Sequence, residues 1–283
     1  MECELWSRLY ALIWVTAKTC RRSHVQFSDA VIMTVFLWAV LHDRPVHWAC
    51  QRQNWKGTSL RPVQLPSEST MSRRLKTPSI QAFQAALEQC VRGGGDAGLI
   101  QLIDGKSLPV GGCSKDPEAR AGRAARGMGR GYKLYAIWSV RPFPEAWDVR
   151  PLNVNEVSVA YDLIPRMTGE GYLLGDTQYD SSKLHDLCMA VHHQLVAPRM
   201  STAKGLGHRY QSPHRLHALE MLTRNFGRQL WALRTNIERS FGNFTSFGGG
   251  LAPLPAWVRR LHRVKRWVWA KLLINANRIQ LHQ

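Results

Sequence analysis

The segment that most constrains the fold is residues 98–110, which have the sequence GLIQLIDGKSLPV. A short run rich in Leu and Ile that ends at Gly105 is typical of a buried central strand. Asp104 lies inside this run, and a buried carboxylate costs several kcal/mol unless a cation or a hydrogen bond compensates it. A metal ion is the simplest compensation, so Asp104 is the first candidate for chemistry. The alternative is that Asp104 ends the strand and begins a turn with Gly105.

The charge of the chain indicates a polyanionic partner. The 283 residues include 38 Lys and Arg but 20 Asp and Glu, which gives a formal net charge of +18. Nucleic acid is the most economical partner for such an excess, because phosphate contacts release bound counterions. The alternative is a chain that is basic without a polyanionic partner.

Cysteine usage and hydropathy favour a cytoplasmic protein. The six cysteines are scattered and form no CxxC pair, which argues against a disulfide framework and a structural zinc site. No apolar run reaches the roughly 18 residues that a membrane span needs. The first segment carries Glu2 and Glu4 where a signal peptide would be basic, so it predicts a core-facing helix. We therefore expect reduced thiols and no membrane partner.

Residues 1–95 predict a helical, DNA-binding region. Apolar residues recur at helical spacing from Leu5 onward, and Ser28 or Asp29 can cap a second helix. Ser67 can cap a short helix that presents hydroxyl groups and two arginines, at Ser69, Thr70, Ser72, Arg73 and Arg74. Such donors suit phosphate and base-edge contacts, and the setting resembles a helix-turn-helix recognition helix. The alternative is an ordinary solvated helix.

Residues 111–131 predict a glycine-rich mobile loop. Its cationic residues outnumber Asp116 and Glu118, and by composition they indicate phosphate binding: Lys115, Arg120, Arg123, Arg126 and Arg130. Lys133, at the start of the strand that follows, is assigned to the same DNA-contacting set. The alternative is a loop that is only solvated.

A second carboxylate follows a second buried strand. Residues 172–174 predict this strand, Gly175 ends it, and Asp176 comes directly after. A carboxylate at the carboxyl end of a strand occupies the usual site position of an open α/β sheet. Asp180 is the rival candidate on the same loop.

The third candidate lies on a helix. Residues 216–244 predict one long helix with an apolar stripe at Leu230, Leu233, Ile237, Phe241 and Phe244. Trp231, Arg234 and Glu238 form a neighbouring row, so Glu238 borders the core. The alternative is an i,i+4 ion pair of Arg234 with Glu238, worth a few tenths of a kcal/mol. The last predicted helix, residues 257–277, is expected to pack on the sheet with a basic, phosphate-facing side.

These three acids stand in a βββαβαβα order, which resembles the RNase H-like catalytic domain of DDE transposases from bacterial insertion sequences. The segments that carry the resemblance are LIDGKSL around Asp104, LLGDTQYDS around Asp176 and RTNIERSFG around Glu238. Relatives show a Tyr-x2-Arg-x3-Glu-x6-Lys motif around the Glu. Arg234 and Glu238 keep its spacing, and Arg239 also fits the family pattern. Trp231 replaces the Tyr, and Thr245 stands where the Lys would be.

The resemblance implies an α/β fold. In residues 96–283 it implies an RNase H-like mixed five-stranded sheet flanked by helices, and this catalytic domain would follow the all-α N-terminal region of residues 1–95.

The resemblance also implies a function, that of a DNA transposase in which Asp104, Asp176 and Glu238 are catalytic and hold two Mg²⁺ ions, with Mn²⁺ able to substitute. Arg234 and Arg239 would bind the flanking phosphates. The implied partners are double-stranded DNA (terminal inverted repeats and target DNA) and a second copy in a homodimer on DNA, in the bacterial cytoplasm with the nucleoid. The alternatives are a catalytically inactive or regulatory DNA-binding protein on the same scaffold, and a related DNA nuclease.

Overall fold

We describe the protein from a computed structural model. The structure describes residues 2–20, 25–93, 95–124, 127–200, 206, 210–243, 251 and 254–281, without the side chains of residues 238, 239 and 243. The chain divides into two compact units. The first unit comprises the chain up to Gly93 together with the chain from Arg266 onward. The second unit comprises the chain between Gly93 and Arg266, apart from residues 246–250.

The N-terminal unit is helical, as the sequence predicts. Its helices are α1 (Glu2–Thr19), α2 (Asp29–Leu41), α3 (Val46–Ala49), α4 (Glu68–Arg74) and α5 (Pro78–Arg92), with a 3₁₀ turn at Arg52–Trp55. Ser28 and Ser67 cap α2 and α4 by accepting the backbone N–H groups of Val31 and Thr70. Helix α2 is buried on nearly every side, so the other helices pack around it.

Three tryptophans form the centre of this unit. Trp38 stacks on Trp55 with ring centroids 4.8 Å apart, and Trp6 meets Trp38 edge-on at 4.7 Å. Each indole N–H donates to a backbone carbonyl, at Leu60, Asn54 and Ala49 respectively for Trp6, Trp38 and Trp55. The rings therefore bury a large apolar area without leaving their N–H groups unpaired.

The two arginines of α4 have different environments. Arg73 is exposed, as the predicted DNA contact requires. The guanidinium of Arg74, however, lies 2.6 Å from the Asp29 carboxylate and also donates to the Phe27 carbonyl. Arg74 thus links α4 to the start of α2, and its expected role as a phosphate contact is replaced by a structural one.

The second unit is built on a mixed sheet. Its strands are β1 (Ile100–Pro109), β2 (Arg120–Ala124), β3 (Gly127–Trp138), β4 (Ala146–Pro151), β5 (Gly171–Leu174) and β6 (His193–Val196). Strand β3 runs antiparallel to β1, β2 and β4, whereas β5 is parallel to both β1 and β6. The order across the sheet is β2-β3-β1-β5-β6, with β4 also pairing with β3.

Helices flank this sheet. They are α6 (Glu156–Leu163), α7 (Ser182–Ala190), α8 (Pro213–Thr223), α9 (Asn225–Ala232) and α10 (Asn236–Asn243), with 3₁₀ turns at Ile164–Arg166, Thr177–Tyr179 and Leu233–Thr235. A buried cluster joins α6 and α7 to one sheet face through residues such as Ile103, Leu163, Leu173, Leu184 and Leu195. The mixed α/β class and the preceding helices are therefore confirmed. Among the described helices, none combines the length and apolar character needed to cross a membrane.

The prediction of a mobile loop at residues 111–131 is wrong in part. Residues 120–124 form β2 and pair with the first residues of β3 in an antiparallel hairpin. Because glycines interrupt this stretch, it lacks the alternation of apolar and polar side chains that marks a strand in a sequence. The strand is instead held by its backbone hydrogen bonds to β3. This hairpin adds a strand to the five that the sequence predicts.

The single long helix predicted for residues 216–244 is also wrong. Arg224 takes an extended conformation between α8 and α9, and a 3₁₀ turn separates α9 from α10. The tighter 3₁₀ turn rotates the helix faces, and Leu233 of the predicted stripe is 40% exposed. Leu230, Ile237 and Phe241 remain buried. Phe244 lies outside the described residues.

The last helix is α11 (Leu261–Leu281). It was expected to pack on the sheet, as part of one domain of residues 96–283, and the structure differs from this expectation. From Arg266 onward it groups with the N-terminal helices. Lys271 is buried there, 3.6 Å from Asp43, and Arg8 donates to the Gln280 carbonyl. An apolar helix face fits either partner, so the sequence pattern did not specify which one it covers.

Replacing Gly227 tests the break between α8 and α9. A Cβ at Gly227 would overlap the Met221 carbonyl and lie 3.0 Å from the Leu222 nitrogen. We expect Gly227→Ala to lower the free energy of unfolding by about 1–3 kcal/mol, as overpacking does. In one continuous helix the same change would instead stabilise the protein.

The matched control is Gly242→Ala in α10, where an added Cβ meets nothing within 4 Å. This change should be neutral or stabilise by up to about 1 kcal/mol. Urea unfolding of both variants measures the difference. Stabilisation by Gly227→Ala would contradict the close approach of α9 to Met221.

Candidate metal centre

The pairing of two parallel strands brings Asp104 and Asp176 together. In the β1–β5 ladder Ile100 pairs with Tyr172 and Leu102 with Leu174. The same offset sets Asp104 level with Asp176, two residues beyond the last pair of the ladder. Residues at one level of neighbouring parallel strands point to the same face of a sheet, so both carboxylates reach one site, as predicted from the sequence.

Glu156 supplies a third carboxylate that the sequence reasoning missed. It is the first residue of α6, directly after the helix cap Asn155, whose side chain accepts the Val157 N–H. One ligand oxygen from each of Asp104, Glu156 and Asp176 lies within 4.8 Å of the others. We call these three residues the acidic triad.

Burial and mutual repulsion disfavour the charged forms of the triad. Burial is the main cause that raises the pKa of Asp104 to about 6, and the charges of Asp176 and Glu156 add to it. Burial and Glu156 likewise raise the pKa of Asp176, against a hydrogen bond from the Gln178 N–H. Tyr179 is fully buried beside the triad, and its burial and the three carboxylates hold its pKa well above the usual range.

Two cationic side chains face these carboxylates. The ammonium of Lys133 forms an ion pair with Glu156, and the Arg234 guanidinium lies 3.7 Å from the Asp104 carboxylate. Lys133 was predicted to contact DNA, but the structure places it inside the site. Arg234 was predicted to bind a flanking phosphate. The structure places it next to Asp104, and the phosphate contact stays a prediction.

Trp231 holds the loop that carries Asp176. Its indole N–H donates to the carbonyl of Gly175, the residue before Asp176, at 3.0 Å. Arg234 lies over the Trp231 ring, 5.8 Å from its centroid. The tryptophan therefore connects α9 to the end of β5 and helps to position Arg234.

Helix α10, which carries Glu238 and Arg239, contacts β1. Ile237 is buried, and Phe241 meets Trp138 edge-on at 6.2 Å. The side chains of Glu238 and Arg239 lie outside the described residues, as does Thr245, so their predicted roles stay predictions.

Asp180, the rival of Asp176, has a structural partner instead. Both of its oxygens accept from Arg215, at 2.5 and 2.7 Å, and one also accepts the Met200 N–H. A bidentate pair of this kind satisfies the carboxylate, so Asp180 is not one of the three clustered acids.

The predicted cationic loop residues fall into separate groups. Arg120 and Arg123 are exposed on β2, where DNA can reach them. Arg130 donates to the Ala119 and Asp116 carbonyls and closes the turn that leads to the hairpin. Arg126 lies outside the described residues.

The triad can hold a metal ion. Three carboxylates are a donor set that hard divalent cations prefer, and one ligand oxygen of each lies within 4.8 Å of the others. Glu156 Oε2 and the Tyr179 hydroxyl are buried, and a hydrogen bond between Tyr179 and Glu156 contributes to the raised pKa of Tyr179. A bound cation would give the Glu156 carboxylate a further partner.

Comparisons of the chain with protein-family models, curated proteins and solved structures gave no match. The class that the fold and the site define is therefore a coarse one. It is a mixed α/β protein with preceding helices and an acidic cluster that could hold a metal ion.

The signal for Glu156 in the sequence is weak. A Glu in the first turn of a helix is common, because the helix dipole favours a negative charge there. Only its place after Asn155, at the end of the connection from β4, distinguishes it, and the sequence does not show which way that connection turns.

Asp104→Asn should change how stability depends on pH. The folded-state pKa of Asp104 lies above the value of about 3.9 expected in the unfolded chain, so the folded protein binds more protons between the two values. The stability from protonated Asp104 is complete below about pH 4 and is lost as the pH rises through about 6. The Asn variant should therefore be more stable than the parent at pH 7.5, by up to about 3 kcal/mol.

At pH 4 the two proteins should have equal stability. Urea unfolding in EDTA across this pH range measures the effect, with Asp162→Asn as control because that carboxylate is 61% exposed. An Asn variant that is less stable than the parent at pH 7.5 would show that the ionised Asp104 carboxylate does not destabilise the folded protein.

Proposed function

We propose that the protein is a divalent-metal-dependent DNA transposase of the DDE type, with its chemistry at the acidic triad. The observation that carries the proposal is the convergence of Asp104 and Asp176, two of the three acids that the family resemblance selects, with the Glu156 carboxylate at one site.

The topology of the sheet supports an RNase H-like domain. Three antiparallel strands (β1, β3 and β4) come first along the chain, followed by two parallel strands (β5 and β6) with helices between them. With the β2 hairpin set aside, the strand order is β4-β3-β1-β5-β6. This is the order expected for the βββαβαβα arrangement of an RNase H-like fold.

The chemistry assigned to the site is in-line displacement at a phosphodiester. Asp104, Glu156 and Asp176 would hold divalent cations, which when bound stabilise charge on the attacking and leaving oxygens. Arg234 would neutralise a phosphate oxygen beside Asp104, and Trp231 keeps the guanidinium in place through its ring. Tyr179 is buried and stays protonated at neutral pH, because its pKa is held well above the usual range.

The net charge of +18 supports DNA as the substrate. Exposed cations are available on both units, at Arg73 on α4 and at Arg120 and Arg123 on β2. Because phosphate contacts give sequence-independent affinity, the basic surface would bind duplex DNA while the acidic site acts on one phosphodiester.

Amide variants of the triad test the reaction. On a supercoiled plasmid that carries the gene with its native flanking DNA, Asp104→Asn and Asp176→Asn should each lower Mg²⁺-dependent cleavage by at least about 100-fold, since even groups behind metal ligands cost 10–100-fold. Asp162→Asn should cleave like the parent. Normal cleavage by both triad variants would refute the proposed site.

Glu156→Gln and Glu238→Gln in the same assay identify the third carboxylate. The variant that loses cleavage, while melting temperature and DNA affinity persist, has lost a metal ligand. If Glu238 forms only an ion pair with Arg234, its change should cost about 0.2–1 kcal/mol of stability and leave cleavage near normal. A pre-cleaved 3′ end added to the parent separates a transposase, which joins it to target DNA, from a nuclease.

Replacing Arg120 and Arg123 by Gln tests the DNA surface. Each phosphate contact contributes about −0.9 to the slope of log affinity against log salt concentration, so the double variant should flatten the slope by up to about 2. Arg130→Gln is the control, because its guanidinium binds backbone carbonyls. An unchanged slope would show that Arg120 and Arg123 are solvated and do not contact DNA.

A further inference from the structure

Lys133 reaches into the acidic triad from the sheet. Its ammonium forms an ion pair with Glu156, and only 14% of its side chain is exposed. It also lies 5.4 Å from the centroid of the Tyr135 ring, and its charge favours the ionised form of Asp176. The lysine therefore acts on two of the three carboxylates.

Gly105 makes room for this lysine. A Cβ at Gly105 would overlap Lys133 Cε and lie 3.1 Å from Cδ and 3.2 Å from Nζ. A side chain at the residue after Asp104 would thus force the end of the Lys133 side chain to shift. Its placement depends on the backbone of β1 as well as on the attraction of Glu156.

A charge count shows that Lys133 and a divalent cation compete. When all groups are ionised, three carboxylates face two cationic side chains, Lys133 and Arg234, and one negative charge remains. One divalent ion would make the site net positive, and two would leave three positive charges before any phosphate arrives. Cations this close repel one another strongly in a partly buried site.

We propose that Lys133 is a built-in cation that holds Glu156 in the metal-free protein and leaves it when a divalent ion binds. This inference rests on the proposed metal-dependent function. It makes Lys133 a positioning residue, because it sets the place of the Glu156 carboxylate and limits the affinity for metal. It also makes Gly105 the position that admits the lysine.

Amine labelling of the intact protein tests the exchange directly. We expect Mn²⁺ to raise the labelling rate of Lys133, read by mass spectrometry, because the released ammonium loses its ion pair. Glu156→Gln should raise the rate without metal. Lys265 is the internal control. Its ammonium lies 2.6 Å from Asp148, which is not a triad residue, so the labelling of Lys265 should not respond to Mn²⁺.

Metal affinity supplies the second measurement. Lys133→Met should bind Mn²⁺ at least about tenfold more tightly than the parent, because a nearby positive charge is removed, and Lys133→Arg should stay close to the parent. Gly105→Ala should also tighten binding, although it removes no charge. Lys265→Met should leave the affinity unchanged. A lysine with only a structural role would instead give weaker binding when it is replaced.

The outcomes separate the two proposals. If the parent binds no Mn²⁺, as followed by electron paramagnetic resonance of the free ion, both the metal-dependent function and the exchange are refuted. If the parent binds Mn²⁺ but Lys133 labelling does not change and Lys133→Met binds no more tightly, the exchange is refuted and the metal site stands. The labelling of the parent protein decides the exchange even if Lys133→Met fails to fold.

Discussion

The parallel pairing of β1 with β5 is the interaction on which the site depends. Its register sets Asp104 level with Asp176, although the two acids are far apart in the chain. Ile103 and Leu173 are buried against the helices and lock this register, because a slip by one residue would turn a whole strand face over. The apolar residues that make the strands recognisable in the sequence are therefore the same ones that bring the two carboxylates together.

The site formed by this pairing is electrostatically unfavourable without a cation. Asp104 has a raised pKa, and the triad retains a negative charge even with Lys133 and Arg234 beside it. A purely structural ion-pair network would balance its charges. The remaining negative charge favours a site that is completed by a cation, and perturbed pKa values of this kind are typical of functional sites.

The sequence predicted the parts of this site that rest on periodicity. Asp104 and Asp176 follow from short apolar runs that end at glycines, and the helical N-terminal region follows from caps and helical spacing. Glu156 could not be predicted in the same way, because helix starts commonly carry Glu and its position depends on the turn after β4. The break after α8 was not predicted, for a similar reason. The apolar spacing continues across it, and only the contact of Gly227 with Met221 shows the turn.

In the proposed function, the strongly basic chain and its acidic site would place opposite demands on a DNA substrate. The excess of Lys and Arg would attract phosphates to the surface, yet an uncompensated triad would repel the one phosphate that must enter it. Under this proposal, cations at the triad would be a condition for the approach of DNA as well as for chemistry. Lys133 and Arg234 supply part of that charge in the free protein. If Lys133 leaves Glu156 when metal binds, its ammonium stays near the site as a further partner for phosphate, so each step toward the loaded site makes it more attractive to DNA.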